Sequence, residues 1–219
     1  KNLLGGLLRE KLGFDGFIQD IKTLVEHVFN KDNVICDLTV TGDDLEKVTK
    51  LLPAFINSFN GKNAGFAPVN YEYSKKNEGF TSSAQVNYVA KGGDFKKGGH
   101  VYTGALRILK TILGYEYLWT EVRVKGNAYG CMSSFSRSGE CFFVSYRDPN
   151  LDSPIEIYER AASFVRDFKA DEDTMTKFII GTMSDIDIPL TPRLKGERSL
   201  AGYMTNVPIE TVQQEREEI

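Results

Sequence analysis

The chain has 219 residues, 41% of them hydrophobic and 26% charged, which suits one sizeable core and argues against a disordered or fibrous polypeptide. No apolar run approaches the roughly 18 residues a membrane helix needs. A net charge of -3 and a pI near 5.6 leave no basic field for nucleic acid, and the local cluster of Lys91, Lys96 and Lys97 is interrupted by glycines and Asp94.

In chain order, Phe17, Ile18, Ile21, Leu24, Val25 and Val28 recur at helical spacing within residues 14–29, and residues 33–40 then turn β-branched and apolar, as a buried strand would. The caps at Thr41, Gly42, Asp43 and Asp44 predict a second helix with the stripe Leu45, Val48, Leu52, Phe55 and Ile56, bent at Pro53. Residues 57–83 read as loop with a short strand near Tyr71. Residues 84–90 read as a strand with Val86 and Tyr88 on its covered face, and the Gly-rich residues 92–99 read as a mobile loop. Val101, Ala105, Leu106, Leu109, Ile112 and Leu113 predict a helix, broken at Gly114 and resumed through Tyr117, Leu118 and Val122.

Residues 129–147 predict a hairpin with Ser138 and Gly139 as a two-residue turn. That register pairs Phe135 with Phe142, Ser133 with Val144, Cys131 with Tyr146 and Arg137 with Glu140. It puts Cys131 and Cys141 on opposite faces of the sheet, so no disulfide joins them. Ser153, Pro154 and Glu156 form a capping-box pattern with proline at the first helical position of a helix running to Phe168. A further helix starts at Asp171, and two short ones follow, at residues 197–203 and from Pro208. Hairpin-linked strands with helices gathered to one side predict an α+β layer fold in a single domain.

Chemistry is sparse along most of this order. Neither His27 nor His100 belongs to a zinc-binding helix motif, and no nucleophile elbow, phosphate loop or dinucleotide fingerprint is present. Asp185 and Asp187, two apart on a helix, do not face one another. Cys36, Cys131 and Cys141 are odd in number and lack a C-x-x-C spacing, which argues against a disulfide framework or a zinc knuckle and fits a reducing compartment. What stands out is the run Arg-Val-Lys-Gly-Asn-Ala-Tyr-Gly at residues 123–130. It sets the guanidinium of Arg123 and the phenol of Tyr129 on either side of a helix-to-strand turn, both able to donate to a carbonyl, with Gly126 expected at the left-handed position that closes the helix. Read alone, such a pair is usually a solvated arginine closing a helix and a core or rim tyrosine opening a strand.

The string at residues 114–130, Gly-Tyr-Glu-Tyr-Leu-Trp-Thr-Glu-Val-Arg-Val-Lys-Gly-Asn-Ala-Tyr-Gly, followed by Phe-Val-Ser-Tyr-Arg-Asp-Pro-Asn at 143–150, resembles the C-terminal half of zinc metallopeptidases of the insulinase/pitrilysin family. Within these inverzincins it resembles the presequence-protease branch. Many relatives read Gly-Gly-Ala-Tyr-Gly where this chain has Gly126, Asn127, Ala128, Tyr129 and Gly130, and the inverted zinc motif His-x-x-Glu-His is absent.

The resemblance implies a two-layer α+β domain with a largely antiparallel sheet and helices on one face. It further implies an enzyme whose N-terminal half, elsewhere on the same polypeptide, holds zinc and the catalytic glutamate, while this chain holds no metal and is inactive alone. On this implication Tyr129 donates to the scissile carbonyl and its oxyanion, and Arg123 clamps the backbone of an unstructured peptide substrate. Its partners would be that N-terminal half and the peptide, with no nucleic acid or membrane, in the cytoplasm or an organelle matrix. The start at Lys1 without methionine or signal peptide, and the end inside the charged residues 213–219, fit a piece of a longer polypeptide. The other reading is a non-catalytic structural or peptide-binding subunit of the same family.

Overall fold

The structure, a computed structural model, describes residues 14–59, 61 and 76–219. The strand expected near Tyr71 lies outside the described residues. The chain divides into two compact units, one of residues 1–77 with 191–200, the other of residues 78–190 with 201–219.

In the first unit, the helical spacing of apolar residues produces α1 (Phe14–Val28), and Thr41 caps α2 (Gly42–Asn57), which runs through Pro53. The strand expected over residues 33–40 does not form. Asn30 instead accepts the Asp32 N–H and starts a 3-10 turn at Lys31–Asn33, after which Val34 is extended but belongs to no regular strand. β-branched residues favour an extended backbone, and a strand also needs a partner ladder. The boundary between the units falls inside α6 (Pro192–Thr205), which starts earlier than expected because proline is compatible with a first helical turn.

The second unit carries a three-stranded antiparallel sheet of β1 (Asn87–Asp94), β2 (Gly130–Phe135) and β3 (Glu140–Asp148), in the order β1-β3-β2. Its helices are α3 (Ala105–Ile112), a π-helix at Leu113–Lys125, α4 (Asp152–Asp167), α5 (Glu172–Ile186) and α7 (Ile209–Glu217), with α6 completed here. The fold is α+β. The core is Val89, Leu113, Tyr117, Leu118, Val122, Ala128, Ile157, Tyr158 and Ala161, so the odd-numbered face of the sheet is covered by the π-helix and α4. Tyr117 stacks on Phe164 and donates to the Ile157 carbonyl at 2.7 Å, and Phe143 stacks on Tyr158.

Four local expectations are corrected. A register irregularity between Asn87 and Tyr88 resets the alternation of β1, so Val89 is buried while Tyr88 points out at 71% exposure. The Gly-rich stretch contributes Gly92 and Gly93 to β1, opposite Phe142 and Cys141. Asp94 then accepts the Lys96 and Lys97 N–H groups in a bonded turn where a mobile loop was expected. Gly114 does not break the helix: the backbone passes from α3 into π-type turns. Finally, α4 starts at Asp152, so Ser153 is inside it, Pro154 is its third residue and the capping box is not made. A proline in the first turn loses no helical bond, since those N–H groups have no partner.

The hairpin forms, but one residue out of the expected register. Gly130 pairs with Tyr146, Cys131 with Ser145 and Phe135 with Cys141. Gly139 takes φ +107 and Ser136 both donates to and is closed by the loop, through Ser136 N–H to Glu140 O and Gly139 N–H to Ser136 O. The loop therefore has three residues, Arg137 to Gly139, closed by a glycine with positive φ. A one-residue slip moves every side chain to the other face. Cys131 and Cys141 consequently share the covered face, and both are free thiols. Their pairing positions are four residue steps apart along the strands, about 13 Å at the usual rise, well beyond disulfide reach. Arg137 is likewise drawn away from Glu140 and pairs with Glu215 of α7.

Candidate functional site

The turn from the π-helix to β2 is where the sequence concentrates its unusual residues. The π-helix closes with wide bonds, Asn127 N–H to Arg123 O at 3.0 Å and Ala128 N–H to Val122 O at 3.2 Å. Each spans one residue more than in the usual glycine-closed helix end, as a wider helical turn requires. Gly126 is not the left-handed residue, since its φ is -86; Asn127 is, at φ 61. Gly126 is needed for space, because a Cβ there would stand 2.5 Å from the Val122 carbonyl oxygen. Asparagine is one of the few residues that enters the left-handed region readily.

Arg123 and Tyr129 both lie exposed on the flanks of this turn. The Arg123 guanidinium rests 4.0 Å from the ring centroid of Trp119, one helical turn back. Tyr129 has its ring edge-on to Tyr146 at 5.6 Å, with the Arg147 guanidinium 5.4 Å from its centroid, and its N–H donates to the Arg147 carbonyl at 3.3 Å. A cation over each ring and an aromatic neighbour restrict both side chains without covering them. The structure therefore places both predicted site residues on one short turn, each with a supporting contact.

A support for the turn comes from Asp148 and Asn150, two residues whose spacing alone carries no chemical motif. Asp148 is fully buried, and its Oδ1 accepts the Asn150 backbone N–H at 2.9 Å and the Asn150 side-chain amide at 3.3 Å. The same amide donates to the Gly126 carbonyl at 2.7 Å. Ser133, Ser145 and Tyr158 are also buried, and their hydroxyls, like Asp148 Oδ2, have no well-aligned protein partner. Burial pushes the Tyr158 phenol up to about 12; the Ser145 hydroxyl offsets part of this, and the Asp148 carboxylate and Cys131 add to it. Burial also raises the Cys131 thiol, against the pull of the Arg123 charge, with Asp148 adding to the rise.

Other titratable residues are engaged elsewhere. His27 lies 2.7 Å from the Thr23 carbonyl of its own helix, on an exposed face. His100 does not cap α3, whose N-cap is Gly104. Asp187 pairs with Arg216. Among the described residues, no three His, Cys, Asp or Glu side chains are grouped to hold a metal. No described helix is long and apolar enough to cross a membrane.

An antiparallel sheet with one helix-covered face, and an exposed Arg/Tyr turn running into its hairpin, make this an α+β domain. Residues 77–219 match the model of the PreP C-terminal domain, and the chain belongs to that family. It is 41% identical over 199 residues to Protein HypA of Clostridium perfringens, covering 91% of this chain and 20% of that protein. It is 32% identical over 208 residues to presequence protease 1, chloroplastic/mitochondrial, of Arabidopsis thaliana, covering 94% of this chain and 19% of that protein. Identity to the mitochondrial presequence protease of Drosophila melanogaster is 25% over 181 residues, 78% of this chain and 17% of that protein. The chain thus spans about one fifth of the length of these relatives.

Proposed function

We propose that this chain serves as the C-terminal, substrate-positioning domain of a zinc metalloendopeptidase that degrades unstructured peptides. The observation that carries the reading is the exposed pair Arg123 and Tyr129 on one clamped turn, in a chain of the PreP C-terminal family. A phenol donates one hydrogen bond, and a carbonyl oxygen that gains negative charge during hydrolysis accepts it more strongly than the ground-state carbonyl does. Such a donor acts on the transition state more than on binding. The Arg123 guanidinium presents several N–H donors to neighbouring substrate carbonyls.

Zinc and the catalytic glutamate would come from the N-terminal half of the same polypeptide, which makes that half and the peptide the two partners. This chain alone would then be inactive. The organelle names of several relatives and the three free thiols support an organelle matrix or the cytoplasm as its compartment.

The test uses the full-length polypeptide and a quenched fluorescent peptide. Tyr129→Phe should lower kcat by roughly 100-fold to 1000-fold, about 3 to 4 kcal/mol, with little change in fold. Full turnover in that variant would sink the reading. Stoichiometric zinc and peptide cleavage by the isolated chain would sink it as well.

A further inference from the structure

We infer that Asp148 and Asn150 are positioning residues that set the geometry of the Arg123–Tyr129 turn. The inference rests on the reading of Tyr129 as a substrate donor. Two independent ties cross from the end of β3 to the turn. Asn150 Nδ2 donates to the Gly126 carbonyl at 2.7 Å, and the Arg147 carbonyl accepts the Tyr129 N–H at 3.3 Å. The first fixes the end of the helix that bears Arg123, and the second fixes the start of the strand that bears Tyr129.

Asp148 holds the first tie in place. Its Oδ1 takes both the backbone N–H and the amide of Asn150, so the amide keeps its other hydrogen aimed at Gly126. A fully buried carboxylate is costly to keep without a cation beside it, and no ion pair of Asp148 occurs among the described residues. A carboxylate is nonetheless suited here, because one oxygen can accept two N–H groups at once. Arg147, between the two ties, takes φ 50, a left-handed backbone that a non-glycine residue holds only when its surroundings fix it. The end of β3 is therefore shaped around the turn.

Neither Asp148, buried, nor Asn150, bonded to Gly126, touches the substrate in this arrangement; each acts through the turn. The distance over which Arg123 and Tyr129 can share one peptide depends on Gly126 and Tyr129 staying in register, and a misplacement near 1 Å can cost about 100-fold in rate.

The experiment is a double-mutant cycle in the full-length enzyme with a quenched fluorescent peptide. Asn150→Ala should lower kcat about 10-fold to 100-fold, with KM changed less than about 3-fold, since the lost geometry matters most where the phenol meets developing charge. In a Tyr129→Phe background the same substitution should lower kcat clearly less, because only the placement of Arg123 is then left to lose. Asp148→Ala should match Asn150→Ala, and Asp148→Asn, which keeps an acceptor at Oδ1, should fall less.

An equal loss of kcat in both backgrounds, or no loss in either, overturns the inference while leaving the role of Tyr129 intact. Should Asn150→Ala not fold, Asn150→Ser carries the same comparison. A Tyr129→Phe enzyme with full turnover removes the premise and so overturns both readings.

Discussion

The Tyr146 ring lies across Gly130 so closely that a Cβ on Gly130 would overlap it, and the same ring meets Tyr129 edge-on at 5.6 Å. Gly130 and Tyr146 are directly paired between β2 and β3, so the glycine makes room for an aromatic that in turn supports Tyr129. Gly130→Ala should therefore act twice. Overpacking should lower stability by about 1 to 3 kcal/mol, read by thermal or denaturant unfolding. The displaced Tyr146 should also carry Tyr129 with it, so the full-length enzyme should lose turnover beyond what its unfolded fraction explains. A fully active, folded Gly130→Ala enzyme would show that Tyr129 does not depend on this contact.

Trp119 is the sole tryptophan of the chain, and its ring carries the Arg123 guanidinium at 4.0 Å. With Trp119 47% exposed, the contact is worth about 0.5 to 1 kcal/mol. Tryptophan emission of this chain should therefore report on Arg123, and Arg123→Leu should change its intensity or wavelength. In the full-length enzyme Trp119→Ala should weaken peptide binding by roughly 2-fold to 5-fold, the same energy expressed as an affinity. Unchanged emission in Arg123→Leu would place the guanidinium elsewhere in solution.

The fold class and the turn at residues 123–130 were legible because they rest on strong local signals: helical stripes, a hairpin, and a motif with its own resemblance. The registers were not. One loop residue, Arg137, decides whether the hairpin turn has two or three residues, and the choice moves both cysteines to one face. The Asn87 irregularity does the same for β1. Both are settled by cross-strand bonds that a single strand's pattern does not encode. The Asp148–Asn150 support was visible as a string, but its role depends on a bond to Gly126, 24 residues away in the chain. The pairing of Arg137 with Glu215 lies still further apart, which is why the sequence assigned it to adjacent Glu140 instead.

Position 127 offers a test of the backbone alone. Asn127 sits at φ 61, where an L side chain is strained and glycine is free. Asn127→Ala should lower stability by about 1 to 2 kcal/mol, because alanine has neither glycine's freedom nor asparagine's local hydrogen bonding. Asn127→Gly should stay within about 1 kcal/mol of the parent chain, its easier φ offset by a more disordered unfolded state. Denaturant midpoints of the three chains would check this, and an alanine variant as stable as the parent would mean that Asn127 leaves the left-handed region.

Glu215 of α7 ties this helix to the hairpin loop. It is 5% exposed and is bound by Arg137 through both carboxylate oxygens and by Arg107 at 3.3 Å, while Tyr102 lies under the Arg137 guanidinium. Burial, the largest single influence, raises the Glu215 carboxyl; the two arginines together outweigh it and hold the group below its ordinary range. A carboxylate depressed in the folded state contributes stability that is present above its unfolded value, near 4.3, and is lost as pH falls through the lower folded value. The chain should thus lose part of its stability below about pH 4, and Glu215→Gln should flatten that acid limb. Removing the carboxylate altogether leaves Arg137 and Arg107 facing one another. Glu215→Ala should cost about 2 kcal/mol at neutral pH, less than the roughly 3 to 5 kcal/mol of a fully buried pair because both arginines keep a third of their surface in water. Melting temperatures between pH 3 and pH 7 for parent, Gln and Ala chains measure both effects. Parallel acid limbs for parent and Glu215→Gln would show that another carboxylate governs the loss.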